Sequence, residues 1–284
     1  MGSPLSAARI VKFSLILATV ERTREVARFL ASLEGQTYPH FEVVVVDQND
    51  DDRVDRLIAS HEMHYAIRRL RASRGLSRAR NQGIAVATGD VLAFPDDDCW
   101  YPPELLVRVV GHLESGTWQG VAGRAVDSVH RPSGGMRWDQ TSGLLAPGNV
   151  WRRATSYTIF LQRVVVERVG GFDESLGIGS GTRWGSGEET DYLLRAMAAG
   201  FRIFYDPALY VYHEQPVRNS AALGFSYGMG MGRVLRKHHY PPWFVFQQVS
   251  RAVIGAVAAA AAGRRDDARF RWAVARGRVL GWLR

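Results

Sequence analysis

Six carboxylates and one histidine carry the strongest chemical signals in the chain. Asp96, Asp97 and Asp98 are consecutive and follow a short apolar run, Val91 to Phe94, that ends at Pro95. Like charges at the end of a buried strand repel one another and lose hydration, so a compensating cation is expected. A hard divalent ion, Mg²⁺ or Mn²⁺, fits that need, because it prefers oxygen ligands and takes one or two protein carboxylates together with substrate phosphates. The alternative reading of the triplet is an acidic turn capping a helix at Pro102 to Val110. A second group, Glu188, Glu189 and Asp191, follows Gly177, Gly179, Gly181, Gly185 and Gly187. A helix N-terminus favours carboxylates electrostatically, which is one reason for them to be there. The glycines add another, since they let backbone approach a ligand closely and let a loop flex. A carboxylate held in such a place can take a proton from an alcohol. His213 ends the aromatic run Tyr210-Val211-Tyr212. It reads either as a ligand or as a core histidine satisfied by hydrogen bonds.

The elements that must position these groups alternate between strand and helix through the first half, the pattern of parallel strands joined by covering helices. Strands are expected at Val11 to Ala18, Phe41 to Val46, Tyr65 to Leu70 and Val91 to Phe94, and helices at Arg24 to Leu33, Val54 to His61 and Leu76 to Thr88. The carboxyl ends of such strands are where open α/β sheets bind ligands. Further on, Gly120 to Val129 and Tyr157 to Gln162 read as strands and Val164 to Val169 as a helical start. Arg131 to Gly148 reads as a long loop, mobile or acceptor-facing. A helix through Leu193 to Ala198 ends at Gly200, and Ile203 to Tyr205 and Leu209 to His213 read as two strands on either side of Pro207. Composition shifts at Pro216, which divides the chain into residues 1–215 and a helical extension, 216–284.

The 284 residues are 46% hydrophobic and 23% charged, which suits one large domain and excludes whole-chain disorder, collagen repeats and coiled coil. Cys99 is the only cysteine, so no internal disulfide forms, no zinc cluster has its ligands, and a reducing cytoplasm is the expected compartment. The net charge is +8, and with lysine only at Lys12 and Lys237, 34 of the 36 bases are arginine. That excess suits an anionic partner.

Taken in order, Arg78-Ala79-Arg80-Asn81-Gln82-Gly83, Thr88-Gly89-Asp90, Phe94-Pro95-Asp96-Asp97-Asp98, Gly170-Gly171-Phe172-Asp173, Gly187-Glu188-Glu189-Thr190-Asp191 and Tyr212-His213 resemble family 2 glycosyltransferases over residues 11 to 215. The resemblance implies an α/β GT-A fold with a mostly parallel central sheet and a metal-dependent, inverting transfer from a nucleotide-sugar donor to a hydroxyl. It makes Asp96 and Asp98 the DxD pair on the metal, completed by His213, and counts Asp97 among the donor-binding residues. Asp47 is similar to the acid that reads the base, and Arg80 lies in the segment lining the nucleotide pocket. Thr19 and Glu21 stand in an altered form of the family's early nucleotide-binding segment. The family's catalytic Asp corresponds to Glu189, with Glu188 and Asp191 as neighbouring alternatives. Trp138, Trp151 and Trp184 would either stack on sugars or pack internally.

The last 21 residues interleave seven arginines with Phe270, Trp272, Val279, Trp282 and other apolar residues. Such a helix would lie on an anionic membrane surface or pack on the core with its arginines in water. Membrane contact would make the protein peripheral on the inner face of the cytoplasmic membrane and bring a lipid-linked acceptor into reach, beside free saccharides. Trp243 to Ala262 is nearly long enough to span, but Gln247, Gln248, Ser250 and Arg251 oppose insertion. The expected setting is bacterial surface-polysaccharide or glycolipid synthesis, with no nucleic acid as partner. Two alternatives remain at this point: a sugar nucleotidyltransferase, although the turn after Ala18 lacks the glycines of a triphosphate loop, and an inactive basic scaffold.

Overall fold

The computed structural model describes residues 10–134, 136–215 and 220–284. The boundary at Pro216 and one residue of the long loop, Gly135, lie outside the described residues. Strand β1 (Phe13–Thr19) is buried at every position, as is β2 (Phe41–Asp47). Apolar runs of this kind, interrupted only by the buried Ser14 and Glu42 before each ends on a polar residue, belong to strands covered on both faces. Between them α1 (Arg24–Glu34) turns Val26, Phe29, Leu30 and Leu33 inward, one apolar stripe at helical spacing. Next come α2 (Arg53–Ala59), β3 (Ala66–Arg71), α3 (Leu76–Val86) and β4 (Val91–Ala93), with α3 packed across β1 and β2. Strands β3, β2, β1 and β4 are parallel neighbours, so their carboxyl ends share one edge.

After β4 the chain forms β5 (Cys99–Trp100), α4 (Leu105–Leu113), β6 (Gly120–Val126), β7 (Gly143–Leu144), β8 (Ile159–Gln162), α5 (Arg163–Val169), α6 (Glu188–Ala198) and β9 (Ile203–His213). Among the described residues the sheet runs β3-β2-β1-β4-β8-β6-β9-β5, with β7 on β9. Strand β8 is antiparallel to both neighbours, yet most of the ladder is parallel. Two short strands escaped the sequence reading. β5 is two residues long, and β7 sits inside the presumed loop, which it ties to β9. The break expected at Pro207 is absent, since β9 is one strand. A bulge opposite Gly123 absorbs the proline, and pairing resumes at Arg124 with Tyr210.

Three helices close the chain: α7 (Ala221–Lys237), α8 (Pro242–Ala261) and α9 (Arg265–Leu283). Gly224, Gly228 and Gly232 repeat every fourth residue on α7 and face the backbone of α9, where Gly277 and Gly281 answer them. A methyl at Gly228 would overlap the Val274 carbonyl oxygen, so the two backbones are in direct contact. α9 therefore packs on α7 along one side and on α8 along another, and exposes Trp272, Val279 and Leu283. The larger exposed apolar stripe lies on α8, at Trp243, Phe246, Ile254 and Val257.

Candidate active site

Asp96 stands three residues beyond the end of β4 and bridges to Ala18 near the end of β1, which places the acidic triplet at the carboxyl edge of the sheet, where such sheets bind ligands. Its Oδ1 accepts from Arg80 Nη2 at 2.9 Å and from the Ser156 hydroxyl at 3.3 Å. Asp97 accepts from the Thr19 hydroxyl at 2.8 Å and from Arg22 Nη1 at 2.7 Å. Asp98 lies 2.6 Å from the same Arg22 nitrogen and 3.2 Å from His213 Nε2. The pairing of Cys99 with His213 between β5 and β9 is what sets His213 beside Asp98, and the Tyr157 ring stacks on the imidazole at 4.8 Å. His213 Nδ1 lies 2.7 Å from the Glu214 carbonyl oxygen, to which it can only donate. In the neutral ring Nε2 is then the nitrogen free to ligate.

Electrostatics separates the three aspartates. Burial pushes the Asp96 carboxyl up, against the pull of Arg80. Burial also raises Asp97, to about 6, although Arg22 and Thr19 oppose it. Burial acts on Asp98 in the same sense, but its bonds to His213 and Arg22 outweigh it and hold the carboxyl at about 2. One ligating atom each from Asp96, Asp98 and His213 falls within 4.8 Å of the others. Two carboxylates and an imidazole with its ligating nitrogen turned inward suit a borderline or hard divalent cation such as Mn²⁺ or Mg²⁺.

The second acidic group stands on the first turn of α6. Gly187 caps that helix in a left-handed conformation, φ +91°, which a residue with a side chain would resist. Glu188 is buried, and its Oε1 meets Arg80 Nη1 at 3.2 Å. Its Oε2 has no hydrogen-bond partner among the described residues. Arg80, only 1% exposed, thus bridges the two acidic groups with the two ends of one guanidinium. Burial pushes the Glu188 carboxyl up. Desolvation together with the charge of Glu188 raises the half-buried Glu189 to about 8. Asp191 is fully buried and turned to other partners: Arg195 at 2.9 Å, Lys237 at 2.7 Å and His238 at 2.8 Å. Burial would raise its carboxyl, but His238 and Lys237 hold it at about 2.

Two sets of hydrogen bonds and ion pairs meet here: Thr19, Asp97, Arg22, Asp98 and His213 form one, Asp96, Arg80 and Glu188 the other, and the cluster of Asp96, Asp98 and His213 brings them side by side. Asp47 ends β2 next to Thr19 in the ladder, with its carboxylate committed to Arg69 at 2.6 Å and to both the backbone and the side-chain nitrogen of Asn49. Glu21 sits at the rim, paired with Arg74 at 2.5 Å. Trp138 is buried, with its indole N–H donating to the Ser133 carbonyl, so it packs internally. Trp151 is half-buried against Tyr240, and the guanidiniums of Arg183 and Arg233 each lie close to the Trp184 ring centre, at 5.7 and 5.6 Å.

The sequence reading missed Arg22 and Tyr157, which complete the triplet's surroundings, and the contribution of α7. That helix runs beside the segment before Glu188: Gly185 N–H donates to the Ser226 carbonyl at 3.3 Å and the Ser186 hydroxyl to the Tyr227 carbonyl at 2.9 Å. The charges of Asp96, Asp98, Glu188 and Glu189 all reach the Tyr227 phenol, which burial and these acids push up. A glycine every fourth residue was the available signal for tight helix packing, but it does not say which helix is the partner.

Comparison with known proteins bears on the family and the fold. The model of glycosyl transferase family 2 matches residues 14–165, more than half of the chain. Glycosyltransferase AglE of Haloferax volcanii is 29% identical over 181 residues, 60% of this chain and 59% of that protein. The pre-mycofactocin glycosyltransferase of Mycobacterium tuberculosis is 28% identical over 202 residues, 66% of this chain and 39% of that protein. The match thus spans less than two thirds of these relatives' length. Among solved structures, the mannosyltransferase PcManGT from Pyrobaculum calidifontis, in complex with GDP-Man and Mn²⁺, has a TM-score of 0.69 at 18% identity, covering 96% of this chain and 88% of that one. S. aureus TarS 1-349 in complex with UDP-GlcNAc has a TM-score of 0.58 at 15% identity, covering 92% and 90%. These two share the fold, with its mostly parallel sheet, and the family match carries the assignment: the chain belongs to glycosyl transferase family 2.

Proposed function

We propose that the protein is a metal-dependent, inverting glycosyltransferase that moves a sugar from a nucleotide-sugar donor to a hydroxyl of a saccharide or lipid-linked acceptor. The observation that carries this reading is the single buried guanidinium of Arg80 tying a three-ligand cation cradle to the glutamates at the start of α6. Asp96, Asp98 and His213 would hold Mn²⁺ or Mg²⁺, which when bound neutralises the diphosphate of the donor. Thr19, Asp47, Arg80 and Asp97 frame the nucleotide side, and Glu21 flanks it. Glu189, at about 8 in the free site, is poised near neutrality to accept the proton of the attacking hydroxyl. The acceptor oxygen forms its bond to the anomeric carbon on the face opposite the leaving diphosphate, the bond to the diphosphate breaks, and the configuration inverts. Glu188 and Asp191 are less suited to that role, since each is tied to basic partners.

Residues 1–215 carry this chemistry and 216–284 carry a surface. Trp243, Phe246, Ile254 and Val257 of α8 and Trp272, Val279 and Leu283 of α9 are exposed, and arginines stand among them, a composition suited to an anionic bilayer. α8 is long and apolar enough to cross a membrane, but Phe244, Val245, Gln248, Ala252, Ala256 and Ala259 bury its other face in the protein. It is therefore read as lying on a cytoplasmic membrane face, where lipid-linked acceptors of surface-polysaccharide or glycolipid synthesis are held.

The test is thermal unfolding of the full chain with GDP, UDP and their sugar conjugates, with and without Mn²⁺ or Mg²⁺, since ligands of the native state raise its apparent stability. A rise that needs both a cation and one nucleotide supports the reading and names the donor class. No rise with any pair overturns it.

A further inference from the structure

The loop after β1 aims an arginine at the acidic triplet. Glu21 adopts φ +63°, a left-handed conformation uncommon for a residue with a side chain. The kink is held by its N–H donating to Asn49 Oδ1 at 2.7 Å and by its carboxylate pairing with Arg74. Arg22 follows and reaches across, with Nη1 2.7 Å from Asp97 Oδ1 and 2.6 Å from Asp98 Oδ2. One guanidinium nitrogen therefore serves two acids, and one of them, Asp98, belongs to the cation cradle.

Arg22 differs from Arg80 in one respect that matters. Arg80 is 1% exposed and fixed between partners, whereas the Arg22 side chain is 43% exposed and has room to change them. A cation beside Asp98 weakens the pull of the cradle on a second cation and strengthens the pull of the cleft on an anion. A diphosphate in the cleft offers the guanidinium bidentate hydrogen bonds and new negative charge. We propose that Arg22 couples the two ligands, holding divalent-cation affinity down in the empty site and releasing it when a nucleoside diphosphate arrives. The proposal rests on the reading of Asp96, Asp98 and His213 as the cation cradle. By linkage the same residue makes nucleotide affinity depend on the cation by the same factor.

The test uses the full chain and its Arg22→Gln and Arg22→Lys variants. Mn²⁺ alone is titrated by electron paramagnetic resonance and calorimetry, then GDP and UDP are titrated at saturating Mn²⁺. Arg22→Gln should bind Mn²⁺ alone tighter by about five-fold or more, and the nucleotide weaker by a similar factor, in the range of ordinary coupling effects. Arg22→Lys, which keeps the charge without the fork, should keep Mn²⁺ affinity near the parent value yet lose part of the nucleotide affinity. Unchanged or weaker Mn²⁺ binding in Arg22→Gln, at parental thermal stability, overturns the coupling and leaves Arg22 a brace. Should Arg22→Gln fail to fold, parental nucleotide affinity in Arg22→Lys overturns it as well. A parent protein that binds neither Mn²⁺ nor nucleotide overturns the functional reading itself.

Discussion

Replacing Arg80 with alanine removes one guanidinium from two carboxylates, and the structure says which of them suffers more. The Glu188 side chain is 7% exposed and its other oxygen already lacks a partner, so without Arg80 its charge is buried and uncompensated. The Asp96 side chain is 29% exposed and keeps Ser156, so water can repair part of its loss. Breaking a buried ion pair from one side costs about 3–5 kcal/mol, and one severe loss with one mild loss points to the lower end. At roughly 2–4 °C per kcal/mol for a chain near this size, the melting temperature should fall on the order of 10 °C. The pH dependence carries the diagnostic sign. Burial already holds the folded-state value of Glu188 above that of the unfolded chain, and removing Arg80 raises it further. A raised carboxyl costs stability as pH climbs above the ordinary glutamate range, and protonation relieves that cost. The Arg80→Ala deficit should therefore be larger at pH 8.5 than at pH 5.5 in calorimetric unfolding at ~0.1 M salt, where screening of a buried pair is weak. A deficit under about 1 kcal/mol, the size of an exposed pair, or one that does not grow with pH, would refute the assignment of Arg80 as the shared counter-ion.

Other expectations follow from the same geometry. Glu189→Gln should keep Mn²⁺-dependent nucleotide binding and lose transfer by about a hundredfold or more. In the parent, transfer should rise with pH toward about 8, because Glu189 must be ionised to accept a proton and its carboxyl is held that high; a rate flat from pH 6 to 9 would assign the proton elsewhere. Asp98→Asn should abolish the Mn²⁺-dependent part of nucleotide stabilisation in thermal unfolding and leave any metal-independent part. Gly228→Ala should lower stability by roughly 1–3 kcal/mol, the usual cost of overpacking, because its methyl meets the α9 backbone. Gly111→Ala on α4, with open space around the new methyl, should instead raise stability by about 0.5–1 kcal/mol.

The parallel half of the fold was legible because β1 and β2 are nearly continuous apolar runs and α1 shows one clean stripe, signals that survive without tertiary information. Pro207 misled because a proline is compatible with a bulge as well as with a break, and only the partner strand decides which. β5 was invisible since two residues carry no periodicity, yet it brings His213 to Asp98. The acidic groups themselves stood out by composition. Their partners stood out less: the motif resemblance placed Arg80 by the nucleotide pocket without showing it as the counter-ion of both acidic groups, and Arg22 went unassigned among 34 arginines, since burial and direction are tertiary properties. The tail read as an amphipathic basic helix, but its glycines commit one side of α9 to α7, and α8 carries the broader apolar face.

The docking of α7 along residues 185–191 bears on how relatives of this chain exchange parts. Composition changes near residue 216, and a chimera designed at that seam would pair one parent's glutamate-bearing segment with another parent's α7. Gly185, Ser186 and Asp191 would then face unfamiliar partners in place of Ser226, Tyr227, Lys237 and His238. The unit that must be inherited whole runs from the glycine-rich segment at Gly177 to the end of α7, and α9, locked to α7 backbone to backbone, travels with it. Crossovers placed in the connection between β8 and β6, or ahead of Gly170, leave that unit intact. A graft between relatives should accordingly carry residues 177–284 as one block.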